Sequence, residues 1–116
     1  MTHDMNLHPQ PFAMIAKGEK TIELRLNDEK RRKIRVGDRI VFTSRAMPEK
    51  TITVKVVALH PFASFAQLYK ALPLEKCGYT PEELATASPK DMEAYYTPEQ
   101  QAACGVLGIE IQRETI

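Results

Sequence analysis

The sequence predicts an α+β fold, a small and mostly antiparallel sheet curled into a barrel with short helices flanking it. Three observations predict this. Several short segments alternate polar and apolar residues, as half-buried strands do. Four N-capping signatures follow one another in the second half, which points to several short helices rather than one long one. The resulting order, strand, helix, strand, hairpin strands, small helices, strand, sets the helices at one side or end of the sheet, and five or six strands in a chain of 116 residues tend to close into a barrel that hides their edges.

Met5 to Leu7 reads as a first strand. Pro9 and Pro11 lead into a helix over Gln10 to Lys17, whose apolar stripe is Phe12, Ile15 and Ala16, and Gly18 suits the residue after its end. Lys17 complements the dipole there. From Thr21 to Leu26 the residues alternate, with Ile22, Leu24 and Leu26 on one face and Thr21, Glu23 and Arg25 on the other. Asp28 to Arg35 reads as an exposed turn or short helix and Gly37-Asp38 as a turn. Arg39 to Ser44 and Thr51 to Leu59 are strands joined by the hairpin loop Arg45 to Lys50. Ser64 to Gln67 reads as a capping box opening a helix to about Leu72, and Thr80, Ser88 and Thr97, each followed by proline, open further helices. Gly105 to Gln112 closes the chain as an apolar strand.

The length fits one domain over residues 1–116, and an apolar fraction of 43% is enough for a core. No run nears the roughly 18 apolar residues of a membrane span, and no signal peptide is visible. Cys77 and Cys104 are too few for a disulfide scaffold, so the expectation is a cytoplasmic protein with reduced thiols and no membrane partner. The net charge is only +1, yet residues 1–58 carry +5 and residues 59–116 carry −4. A basic half suits an anionic partner such as nucleic acid or a nucleotide; the same counts also describe two solvated faces that attract each other weakly.

The stretch Gly18 to Arg25 concentrates Lys20, Glu23 and Arg25 on a short strand. Glu23 and Arg25 share a face, whereas Lys20, three positions before Glu23, joins them only if the chain is irregular after the Gly18 bend. If the three converge, Arg25 offers a planar fork for phosphate, carboxylate or base carbonyl, a desolvated Lys20 serves as general base or oxyanion stabiliser, and Glu23 bonds an exocyclic amine or activates a water. If they do not, they form an ion-pair lattice on a solvated strand.

Asn6-Leu7-His8, Phe12, Ile15, Gly18-x-Lys20-x-x-Glu23-x-Arg25, Asn27-Asp28-x-Lys30-Arg31, Val36-Gly37-Asp38, Ser64-Phe65, Tyr95-Tyr96 and Gly105 to Ile109 together resemble the ASCH domain family over nearly the whole chain. The resemblance implies a PUA-like β-barrel, a cleft carrying the Lys/Glu/Arg signature, and RNA or a modified nucleoside as ligand, with DNA a further possibility. Some bacterial members of the family are amidohydrolases that remove the acetyl group from N4-acetylcytidine. Their strand reads Lys-x-x-Thr-x-Arg. Lys20 and Arg25 match it, but Glu23 stands where the threonine would be, and Thr21 does not align with it. Glu75 lies in the region of a further hydrolase glutamate. Two functions follow: an RNA- or nucleotide-binding module, or a small amidohydrolase acting on an acylated nucleoside. An interaction domain for a peptide or small acid is a third.

His8, beside the signature, is a candidate ligand contact or simply a helix-entry residue. Lys30-Arg31-Arg32-Lys33-x-Arg35 could track a phosphate backbone, with Arg31 and Lys33 as contacts, or form a solvated loop. Tyr95 and Tyr96 are candidate stacking residues. His3 and His60 read as structural. The histidines and cysteines lack metal-ligand spacing, so neither metal nor cofactor is expected. Nothing in the sequence marks an oligomeric state.

Overall fold

The computed structural model describes residues 1–114. Five strands, β1 (Thr2–Leu7), β2 (Ile22–Leu26), β3 (Arg39–Ser44), β4 (Thr51–Phe62) and β5 (Val106–Arg113), form one curled sheet in the order β1-β3-β4-β5-β2. β1 runs parallel to β3, and every other pairing is antiparallel. The sheet is a half-barrel whose edges are β1 and β2, a mixed α+β architecture of the expected kind. Five α-helices accompany it: α1 (Pro9–Lys17), α2 (Glu29–Arg32), α3 (Phe65–Ala71), α4 (Pro81–Leu84) and α5 (Pro98–Cys104). Leu74–Lys76 and Pro89–Ala94 are 3-10 turns.

Register explains the core. β5 is buried on both faces. Leu107, Ile109 and Ile111 face a cluster with Ile40, Phe42, Val54 and Val56, while Val106 faces a second cluster with Ile22, Leu24, Phe65 and Leu68. Directly opposed residues of antiparallel strands share a face. Leu24 stands opposite Gly108, where a Cβ would lie 2.7 Å from Leu72, so α3 packs closely on this face. Glu23 stands opposite Ile109 and Arg25 opposite Leu107. The two charged residues therefore project from the face that elsewhere forms the first apolar core.

Three elements differ from expectation. β1 starts at Thr2 instead of Met5, because parallel pairing to Arg39, Ile40 and Val41 holds the polar Thr2-His3-Asp4. β4 continues through Pro61 to Phe62. Its pairing with β3 ends at Lys55, beyond which it has only β5 beside it, the edge setting that proline tolerates. Ser64 accepts the Gln67 N–H at 3.2 Å, but the Gln67 side chain accepts from Ala63, so the reciprocal box expected there is incomplete. Thr80, Ser88 and Thr97 do make reciprocal boxes, with Glu83, Asp91 and Gln100.

Candidate ligand-binding site

α1 ends at Gly18 in the left-handed conformation, φ 79°. The Glu19 and Lys20 N–H groups then both donate to the Met14 carbonyl, at 2.9 and 3.2 Å. This tight reversal delays the strand until Ile22 and turns Lys20 toward the Glu23 face. Lys20 Nζ lies 2.7 Å from Glu23 Oε1, and Arg25 Nε donates to Glu23 Oε2 at 2.7 Å. The irregularity on which convergence depends is thus present. Glu23 is only 3% exposed.

Burial works against the Glu23 charge, but the Lys20 and Arg25 cations and their hydrogen bonds outweigh it and hold the carboxyl below its ordinary range. Burial likewise opposes the Arg25 charge, and Glu23 overcomes it, raising Arg25 further. The cluster is a fixed cation–carboxylate–cation arrangement. Arg25 also donates from Nη2 to the Asn6 carbonyl on β1 at 3.0 Å, spanning the gap between the two sheet edges.

The three residues line a cleft of about 640 Å³ in that gap. α1 and His8 form one side; Tyr69, Tyr79, Asp91, Tyr95 and Tyr96 form the other. Tyr96 stacks on the buried Phe65, with ring centroids 6.3 Å apart, so it belongs to both core and cleft. Tyr95 is exposed and lies 6.3 Å from the His8 ring. Burial pushes the Tyr96 phenol up, against the opposing pull of Arg25.

The basic run folds partly onto its own surroundings. Asp28 caps α2 and pairs with Arg31 at 3.1 Å. Arg32 donates to the Asn27 and Cys104 carbonyls, and Lys30 to that of Asp4. Arg31 lines the cleft, and its Nε is buried without a hydrogen-bond partner among the described residues. Lys33 closes α2, exposed and away from the cleft. Thr21 and Glu75 do not line it either. No group of three His, Cys, Asp or Glu among the described residues is placed to hold a metal ion.

Sequence reasoning did not find Tyr69, Tyr79, Asp91, Arg45 and Cys77 in this cleft. Asp91 carried a signal, as the residue that closes the Ser88 capping box, but that signal concerns the helix start. Cys77 is buried, its thiol pushed up to about 11 by desolvation, with Lys20 opposing and Glu75 and Glu23 adding to the shift. Gly78 follows with φ +108°, and a Cβ there would lie 3.2 Å from Lys20 Cδ, so only glycine lets the chain pass beside the lysine stem.

The five-stranded curled half-barrel with its several short helices has the PUA-like fold. The ASCH domain family matches residues 5–114, and the chain belongs to that family. It is similar to the crystal structure of the hypothetical protein PH0355, with 31% identity, TM-score 0.80, 98% of this chain and 100% of that one covered. It is also similar to the solution structure of protein PF0455 from Pyrococcus furiosus, with 28% identity, TM-score 0.70 and both chains fully covered. ASCH from Zymomonas mobilis shares the fold at 15% identity and TM-score 0.64, covering 96% of this chain and 66% of that one. Comparison with curated proteins finds no match. No helix among the described residues is long and apolar enough to cross a membrane.

Proposed function

We propose that the chain acts as a single ASCH unit that binds RNA or a nucleotide in the cleft between β1 and β2. One observation carries this reading: both oxygens of a buried carboxylate are held at 2.7 Å by Lys20 and Arg25 on the floor of a tyrosine-walled cleft. The volume, about 640 Å³, lies within the range of small-ligand sites. Arg25, Arg31 and Arg45 supply positive charge along it, and stacking on exposed tyrosine contributes roughly 1–3 kcal/mol per base. His8 is a contact at the mouth, and Lys33 an outlying phosphate contact for a longer strand.

Deacylation of a nucleoside such as N4-acetylcytidine is the second reading. The buried Lys20 Nζ favours it, as a donor for a developing oxyanion. The rest of the cleft favours binding. Among the described residues its lining includes no serine or threonine, Cys77 holds its proton, and Glu23, committed to two cations, is a weak base. The deciding experiment incubates N4-acetylcytidine with wild type and Lys20→Ala, and titrates both with labelled RNA at rising salt. Salt-dependent RNA binding that Lys20→Ala weakens, without cytidine release, supports the module. Cytidine formed by wild type alone would replace it with the hydrolase, and equal binding of DNA would widen the ligand class. Lys33→Ala should weaken RNA binding by less than about 1 kcal/mol.

A further inference from the structure

Three residues in the cleft wall form a hydrogen-bond chain that the Lys/Glu/Arg cluster does not use. Tyr69 Oη on α3 lies 2.7 Å from Tyr79 Oη, and Tyr79 Oη lies 2.7 Å from Asp91 Oδ2. The two rings meet edge to face, 5.9 Å between centroids. Asp91 is itself fixed, because the same oxygen accepts the Ser88 N–H at 3.1 Å.

The direction of this chain follows from counting protons. A carboxylate only accepts, and a phenol has one proton. The short Tyr79–Asp91 contact needs the Tyr79 proton, since two bare acceptors at that distance repel. Tyr79 then has no proton left for Tyr69, so the second contact needs the Tyr69 proton. Burial, foremost, keeps both phenols protonated, and the bond to Asp91 reinforces this at Tyr79. Tyr69 therefore enters the cleft with its proton spent and its oxygen able only to accept. An acceptor of fixed polarity in a partly buried wall discriminates, because a ligand acceptor placed against it leaves both groups unpaired.

We propose that the Tyr69–Tyr79–Asp91 chain is a specificity device, and that Tyr69 selects nucleobases presenting an exocyclic amine over those presenting a carbonyl at that position. The inference rests on the nucleotide-binding reading above and adds its ligand class, amino-bearing bases. Tyr69 is the reading group; Tyr79 and Asp91 are positioning residues that set its polarity.

The test uses two pairs of nucleoside monophosphates that differ at this position, cytidine against uridine and adenosine against inosine, titrated calorimetrically into wild type, Tyr79→Phe and Tyr69→Phe. Wild type should bind the amino member of at least one pair about tenfold more tightly. Tyr79→Phe frees the Tyr69 proton, so the carbonyl member should gain affinity and the ratio should approach one. Tyr69→Phe should lose amine affinity with no carbonyl gain, which keeps the test decisive if Tyr79→Phe does not fold. A structural role alone would weaken both members equally. Binding without preference in wild type, or a ratio unchanged in Tyr79→Phe, overturns this inference and leaves nucleotide binding standing. No binding of any of the four by wild type overturns this inference, and the binding reading then falls only if labelled RNA also fails to bind.

Discussion

Arg25 on β2 donates to the Asn6 carbonyl on β1, 3.0 Å away, while its Nε holds Glu23 at 2.7 Å. One side chain thus closes the open side of the half-barrel and organises the cleft floor. Removing it leaves Glu23 buried with one cation and Asn6 without its donor. Arg25→Ala should lose roughly 3 kcal/mol of stability, as a broken buried ion pair does. Hydrogen exchange should quicken at both β1 and β2 in that variant, although the two strands are not neighbours in the sheet. Unchanged exchange at β1 would show that the contact does not couple the edges. Arg25→Lys should recover the charge but not the span, because a lysine cannot hold both partners through a planar fork.

The Glu23 carboxyl titrates below its ordinary value of 4.5, because Lys20 and Arg25 outweigh the opposing effect of burial. A carboxyl lowered in the folded state stabilises that state at higher pH, where it is ionised in both states, and loses this contribution as pH falls through the folded value. The cluster should therefore stabilise fully near neutrality and weaken only below about pH 4.5. Glu23→Gln keeps the shape but leaves two buried cations facing an amide, a loss of roughly 3 kcal/mol at neutral pH. Denaturant midpoints compared at about pH 7 and about pH 3 should show the wild-type advantage shrinking at the lower pH. A gap that stays constant would mean that the carboxylate charge contributes nothing.

The local part of this architecture was legible because its causes are local. Ile22, Leu24 and Leu26 announce a strand, Gly18 announces the end of α1, and each Ser/Thr-Pro announces a helix start. The Lys20–Glu23–Arg25 group was legible as a question: alternation sets Lys20 on the wrong face, and only the left-handed turn with two N–H groups on Met14 brings it round. Of the tyrosine wall only Tyr95 and Tyr96 were legible, as candidate stacking residues. Tyr69 sits on α3, Tyr79 in the loop between Lys76 and Pro81, and Asp91 in the turn Pro89–Ala94, and no periodicity relates one to the next. The parallel pairing that starts β1 at Thr2 was hidden for a related reason, since Thr2-His3-Asp4 lacks an apolar pattern and is held by backbone partners and by His3 on Asp38 at 2.8 Å.

Gly78 offers a test of how closely the cleft is fitted around Lys20. At φ +108° an alanine would be strained, and its Cβ would press on Lys20 Cδ from 3.2 Å. Gly18, at φ +79° with nothing within 4 Å, would suffer the strain alone. Each alanine variant should lose about 1–2 kcal/mol of stability. Only Gly78→Ala should also displace the ammonium, weakening nucleotide affinity by about tenfold. Equal affinities in the two variants would show that the Lys20 position is not critical.

Cys77 lines the same cleft, and a thiol there invites a nucleophilic role. Its surroundings oppose one. Desolvation raises the thiol to about 11, and the nearby Lys20 does not bring it back. At about pH 8 the thiolate fraction is then on the order of one part in a thousand. Iodoacetamide at that pH should modify the partly exposed Cys104 well before Cys77, as peptide mass analysis would record. Cys77→Ala should cost about 1 kcal/mol in lost packing and leave ligand affinity unchanged within about twofold. Rapid alkylation of Cys77 in the folded protein, slowed by bound nucleotide, would instead make it a reactive group of the cleft and revive covalent chemistry.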